Sequence, residues 1–296
     1  MGSTDNDVAR VVCASIGRCV AQVLAHDPGV RSGEGVEHVH QLRVATRRLR
    51  SDLRTFHRLL EPEAAVALRE ELGWLGGLVG AVRDLDVLDE HLREACEHLP
   101  ERDRAAARLL LSHLATQHAH ARATLLGAMA SPRYEALLER LIAFAAAPPL
   151  AAVALDPGSR RDQRAIARRA ARRPWKHLRR AVRALPADPA DHELHHVRIV
   201  AKRARYAAET VAELAGRPAE RFATAVARVQ AVFGEHQDTV VAEEWLRATA
   251  TAIPACAVVA GELVERERAR RAVLRRRWPD AWARVDRRSL RRWMQG

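Results

Sequence analysis

The chain has 296 residues, with 49 Lys plus Arg against 37 Asp plus Glu and a formal net charge of +12, a length that accommodates one large domain or two of about 150 residues. Hydrophobic residues make up 48% of it, but no uninterrupted apolar run approaches the roughly 18 residues of a membrane span, and Met1-Gly2-Ser3-Thr4-Asp5 offers no basic or apolar leader region, so the reading is cytosolic without a membrane span. Aromatics are 4%, Ala and Leu dominate the apolar set, and Cys13, Cys19, Cys96 and Cys256 form no CxxC pair; an all-α protein with reduced thiols follows.

Helical periodicity recurs almost throughout, and Pro and Gly mark the breaks. These fall at Asp27-Pro28-Gly29, Glu61-Pro62, Leu99-Pro100, Ser131-Pro132, Ala146 to Ser159, Pro186 to Pro189, Gly216 to Pro218, Pro254 and Pro279. They delimit about a dozen helices of about 10 to 25 residues. In the helix after the first break, His40, Arg43, Arg47, Arg50 and Arg54 follow the spacing of one helical face and lie within an arc of about 80°. Leu42, Leu49, Leu53 and Phe56 cluster roughly 120° away and form the packing face. Farther along comes the Arg83-Asp84-Leu85-Asp86 turn. His113, His118 and His120 do not share one helical face and read as surface or core residues.

The stretch from Ala146 to Ser159, with Pro148, Pro149, Pro157 and Gly158, is the candidate linker. A second cationic stripe follows it: Arg161, Arg164, Arg168, Arg172, Lys176, Arg179 and Arg183, in a helix that Pro174 is expected to kink or restart. His192-Glu193-Leu194-His195-His196 then satisfies the HExxH zinc pattern. The match stands at the start of its helix with no third ligand marked, and zinc hydrolysis is rejected. From Arg266 to Arg292 stand 12 arginines against Glu267, Asp280 and Asp286. They either line the same site as the stripes or form a solvated basic tail.

The two halves are related. Val39 to Arg50 aligns without gaps onto Leu194 to Arg205, 155 residues later, and Val79 to Val87 aligns onto Phe233 to Val241, 154 residues later. Two matches at nearly one offset indicate an internal duplication. His195, Arg198, Lys202 and Arg205 thereby repeat the first stripe, with Glu209 in the place of Arg54. Two helical bundles, residues 1–150 and 151–296, are expected to meet about a pseudo-two-fold axis as one domain, so that equivalent residues face a shared site.

Charge is divided unevenly: residues 1–150 hold 18 cations and 20 anions, residues 151–296 hold 31 and 17. Stacking like charges one per helical turn costs folding free energy, and a solvated face ordinarily mixes signs. The stripes therefore point to an anion, and arginine's forked donors suit phosphate. The chain has no Walker A loop, GxGxxG, GxSxG or paired cysteines, and no cofactor or catalytic constellation is expected.

The His-x-x-Arg-x-x-x-Arg-Arg-x-Arg run at His40 to Arg50, its partner at His195 to Arg205, and the turns at Arg83 to Val87 and Gly234 to Val241 closely resemble the CHAD family, the conserved-histidine α-helical domain. The resemblance implies a non-enzymatic protein that binds inorganic polyphosphate in a basic channel between two helical bundles, with possible granule association. It implies that His40, Arg43, Arg47, Arg50 and Arg54, with His195, Arg198, Lys202 and Arg205, line the channel. Arg83 and, from the midpoint stripe, Arg168, Arg172, Lys176, Arg179 and Arg183 form a second tier. Asp84 and Asp238 are expected to hold Arg48 and Arg203, away from the stripes. Many relatives also carry a CYTH triphosphate-tunnel domain marked by ExExK, which this chain lacks.

Two alternatives stand beside this reading. Single-strand nucleic-acid binders stack bases on aromatics, which are scarce here, so nucleic acid enters as a competing polyanion. A polyphosphate or triphosphate hydrolase needs acidic metal ligands, which the stripes do not contain. Oligomeric state is left open between monomer and weak dimer.

Overall fold

The computed structural model describes residues 7–155 and 160–295, with the side chains of 7, 153, 155 and 160–163 outside the description. The Arg161 end of the midpoint stripe and the Asp156 to Ser159 part of the linker therefore lie outside the described residues. Helices account for nearly all the rest. In chain order they are α1 (Asp7–Ser32), α2 (Val36–Thr55), α3 (Pro62–Glu97), α4 (Arg104–Met129), α5 (Pro132–Ala146), the single turn α6 (Ala152–Leu155), α7 (Arg160–Arg183), α8 (Asp191–Thr210), the single turn α9 (Ala212–Ala215), α10 (Arg217–Ala252), α11 (Ala257–Val285) and the single turn α12 (Arg288–Arg291). The all-α expectation holds.

Most of the expected breaks are real. Pro62 and Pro132 stand at helix starts, where the missing N–H costs nothing. Gly216, at φ 69°, turns the chain before α10. Two proline breaks are corrected: α1 and α11 run through Pro28 and Pro279, and α7 likewise continues through Pro174 without restarting. The hydrogen bond lost at each proline is offset by burial on either side, as with Ala171, Trp175 and Leu178 around Pro174. The first break falls instead at Gly33 and Gly35, whose φ of 85° and 87° a side chain would strain. Helices α3 and α10 are each 36 residues long, beyond the expected range. Both stripe helices, α2 and α8, have 20 residues.

By length and composition alone the Val8–Ser32 stretch of α1 is apolar enough to cross a bilayer. In the fold, Val12, Ile16, Val20 and Val23 on it are buried in the core, and Arg18 pairs with Glu213 at 3.3 Å.

Packing follows the expected faces. Leu42, Leu49, Leu53 and Phe56 of α2 are buried, and α2 packs on α1, α3 and α8. Helix α8 in turn packs on α7 and α10. A large core takes side chains from both sides of residue 150: Leu49 and Leu75 share it with Val197 and Phe222. A smaller distal core joins the far ends of α3 and α10 to α4 and α11, through Leu88, Leu110, Leu246 and Leu263. The linker is tied down at Leu150, which bridges to Leu60, with Ala151 N–H donating to the Leu59 carbonyl at 3.1 Å.

Two of the C-terminal arginines, Arg271 and Arg275, are bound within the fold, while Arg276, Arg277, Arg284, Arg287, Arg288 and Arg292 are exposed. Arg271 donates to the Thr239 carbonyl at 2.9 Å and pairs with Glu243 at 2.8 Å. Arg275 pairs with Asp191 and Asp188, each at 2.7 Å, and also reaches the Pro189 carbonyl. These contacts pin α11 to α10 and to the start of α8, so part of the basic excess is structural.

Candidate anion-binding site

The two stripes meet where α2 crosses α8. Each helix buries its apolar face and leaves its cations half-buried along the seam. Arg47 of α2 donates from Nε to the Tyr206 hydroxyl of α8 at 2.9 Å. Its guanidinium lies 6.0 Å from the Tyr206 ring centroid, and that of Arg205 lies 5.0 Å from it. A ring between two cations is favoured by the negative face of its π-system, and here it fixes one arginine from each stripe.

Electrostatics show how closely the stripes approach. Burial pushes the Lys202 ammonium down to about 7, and Arg198, Arg47 and Arg43 push the same way, with Asp84 opposing them weakly. Burial also lowers Arg198, opposed by Asp238 and aided by Arg47. Arg43 is lowered by burial despite Asp84, with Arg47 and Arg198 adding to the effect. Thus Arg43, Arg47, Arg198 and Lys202 form one cluster drawn from both halves of the sequence. A preformed, partly dehydrated cluster of this kind favours an incoming anion and penalises its own charged state without one.

The other predicted residues divide. His40 sits beside this cluster, its imidazole lowered by burial and by Arg83. His195 instead meets the Gln237 side-chain oxygen at 2.6 Å. In the alignment of the two halves Arg83 corresponds to Gln237, so a cation stands near His40 where an amide contacts His195. Arg50 is half-buried beside Gly73 and lowered by burial, with Arg54 and Arg69 adding. Arg54 is exposed. Arg205 is neutralised by Glu209 at 2.9 Å.

In α7, Arg168 borders a separate cleft with Glu213 and Trp293. Arg172, Lys176 and Arg183 are exposed, and Arg179 pairs with Asp286 at 3.1 Å. The role expected for the acidic turns is also corrected. Asp84 pairs with the stripe residue Arg43 at 2.8 Å, and Arg48 pairs with Glu209 at 3.2 Å. Asp238 faces Arg198. The paired partners follow from the direction of α3 and α10, which spacing along α2 and α8 does not contain.

The HExxH residues hold no metal constellation, and no group of three or more potential ligands occurs among the described residues. Glu193 accepts from the Ala190 backbone N–H at 2.7 Å as a helix cap.

Two glycines that the sequence reading did not single out stand at the site. A Cβ on Gly80 of α3 would overlap Arg43 Nη1, and one on Gly234 of α10 would lie 3.8 Å from Arg198 Nε. These positions correspond in the alignment of the two halves, but only Gly80 is needed to admit its guanidinium, since a Cβ on Gly234 would make ordinary contact with Arg198. Gly80→Ala is expected to leave thermal stability unchanged or higher, since Ala gains about 1 kcal/mol of helix propensity. It should nevertheless weaken binding of a phosphate polyanion several-fold by displacing Arg43. Melting curves and binding titrations on the same sample check both signs.

A family model described as the CHAD domain matches residues 14–247. Two uncharacterized proteins of Mycobacterium tuberculosis, from strains CDC 1551 and H37Rv, are each 31% identical over 239 residues. The match covers 77% of this chain but 43% of theirs, so the chain spans less than half the length of these relatives. Among solved structures, PptA from Streptomyces chartreusis superposes with a TM-score of 0.75 at 24% identity, covering 93% of this chain and 99% of that one. The CHAD domain from the plant Ricinus communis gives 0.70 at 26%, covering 96% and 91%.

Proposed function

The chain belongs to the CHAD domain family, known for polyphosphate binding, and from that membership we propose that it binds inorganic polyphosphate, without catalysis, in a basic channel along the α2–α8 seam. The observation that carries this reading is the convergence of Arg43 and Arg47 with Arg198 and Lys202 into one half-buried cluster. A linear polyanion offers phosphates at close intervals, so several cations engage one ligand and each contact releases counterions. Affinity then rises with chain length and falls steeply with salt. Association with cytoplasmic polyphosphate granules belongs to the same proposal.

The test is competition. Long-chain polyphosphate should displace labelled RNA and DNA from the protein at physiological salt, and excess nucleic acid should fail to displace polyphosphate. Easy displacement by nucleic acid would sink the reading. Incubation with magnesium should release no phosphate, whereas steady release would turn the site into that of a hydrolase.

Lys202 makes the binding pH-dependent. Burial and the neighbouring arginines push its ammonium down to about 7 in the folded chain from an ordinary 10.5. Above about pH 7 the empty site holds a neutral amine and has one fewer cation to offer. Affinity should fall about tenfold between pH 6 and 9, the scale of one charge-assisted hydrogen bond. Stability of the empty protein moves the other way. Between about 7 and 10.5 the unfolded chain binds the proton that the folded chain refuses, so stability rises with pH across that window. Lys202→Arg should flatten the binding profile; parallel profiles for both proteins would remove Lys202 from the account.

A further inference from the structure

The repeat is broken at one pair of positions, and the break leaves one side of the cluster open. Arg48 and Arg203 are counterparts, as are Arg54 and Glu209. On one side, Arg48 meets Glu209 at 3.2 Å, and Glu209 also holds Arg205. On the other, the equivalent encounter is between two cations: Arg203 is lowered first by burial and further by Arg54. No carboxylate from the repeat closes that side.

Beyond Arg203 lies a groove of about 660 Å3 between α7 and α8, bordered by His177, Arg180, His192 and His196. Its acidic member, Glu193, is occupied in capping the α8 N-terminus. Ala181, Leu185 and Val200 form its base. Arg203 is the residue after Lys202, so one step along α8, about 100° of helix, carries the cationic surface from the central cluster into the groove.

Resting on the polyphosphate reading, we propose that the α7–α8 groove is a second phosphate-binding subsite, which takes the overhanging end of a long polyanion by way of Arg54 and Arg203. The chain then leaves the central cluster in one direction. The opposite side carries the carboxylate of Glu209, which repels phosphate and, shared between Arg48 and Arg205, offsets one of their two charges. Arg180 and Arg203 supply permanent charge to the groove, and His177, His192 and His196 supply hydrogen-bond donors to phosphate oxygens.

The experiment compares tripolyphosphate with long-chain polyphosphate on the wild type and on Arg180→Glu/Arg203→Glu. Long-chain affinity should fall about tenfold or more, while tripolyphosphate, held by the central cluster, should change less than twofold. Glu209→Gln, which opens the other side, should raise long-chain affinity. Arg180→Gln/Arg203→Gln serves if the double reversal fails to fold, with a smaller loss again confined to the long chain. Equal losses for both ligands, or none for the long chain, would overturn the subsite. So would saturation of the groove by orthophosphate alone, read from the ring signals of His177 and His196, because it would mark an independent small-anion site. If the wild type binds neither polyphosphate, the parent reading fails instead, and the two failures are distinct.

Discussion

Changing Arg43, Arg47, Arg198 and Lys202 together to glutamine is expected to abolish measurable polyphosphate binding, at least a hundredfold loss at physiological salt, without lowering the melting temperature. The loss in affinity follows from the number of contacts. Four cations acting on one linear ligand contribute together, and by analogy with nucleic acids the slope of log affinity against log salt should become shallower by about three to four. The stability expectation follows from the burial of the same groups. Arg43, Arg198 and Lys202 all have pKa values lowered mainly by burial, so their charged forms are less favourable in the folded chain than in the unfolded one. Removing those charges relieves that cost. The opposing losses are the Arg43–Asp84 pair, whose aspartate is largely exposed, and the Arg47–Tyr206 hydrogen bond, each worth about 1 kcal/mol or less. Titrations at three salt concentrations and a thermal melt check both halves. Residual binding within tenfold of wild type would place the polyanion elsewhere.

Asp52→Asn is expected to stabilise the protein at pH 7 by about 2–3 kcal/mol and to remove a pH dependence from its unfolding. Asp52 is fully buried where α1, α2 and α8 meet; Ser15 donates to it at 2.7 Å and Thr210 at 3.0 Å. Burial pushes its carboxyl up from 3.8 to about 6, against the lowering effect of those two hydrogen bonds. The direction matters. A carboxyl whose folded pKa exceeds its unfolded value contributes its full stability below about pH 4 and loses it as pH rises through about 6. At neutral pH the chain therefore carries a buried carboxylate at a cost of about 1.4 kcal/mol per pKa unit. Asparagine keeps an acceptor for Ser15 and carries no charge. Denaturant unfolding from pH 4 to 8 should show the wild type declining relative to the variant; parallel curves would mean that the site accommodates the charged carboxylate without penalty.

The sequence located the stripes well because they are local. Residues three or four apart on one helix must share a face, and Leu42, Leu49 and Leu53 are buried beside the cations as their spacing requires. Repetition extended the reach of that reasoning to the second stripe. What spacing could not supply was distance across the fold. The Arg43–Asp84 pair joins residues 41 apart, and the Arg275–Asp191 pair joins residues 84 apart. A cation's value to the site depends on whether such a partner has already claimed it. Arg43, Arg179 and Arg205 look equivalent in sequence and each meets a carboxylate, but the partner of Arg43, Asp84, is largely exposed, whereas Asp286 and Glu209 are half-buried against theirs. Lys202 is the complementary case, since its special character comes from burial and from three arginines on two helices. The prolines at 28 and 279 do not break their helices because the core that holds those helices together outweighs local propensity. Gly80 carried a signal that was available, recurrence at Gly234 in the repeat, but its meaning required the position of Arg43.

The division of the apolar interior into a large core and a distal one bears on how the molecule breathes. The distal core, around Leu88, Leu110, Leu246 and Leu263, is the smaller, and continuous helices connect it to the other. Segments with few buried contacts open at lower free energy than the global transition. The outer ends of α3, α4, α10 and α11 are therefore expected to exchange their amide protons sooner than the seam of α2 and α8. A polyanion seated on that seam, as proposed, should slow exchange in the large core and leave the distal end unchanged. Opening at the distal end would then leave the charged seam intact.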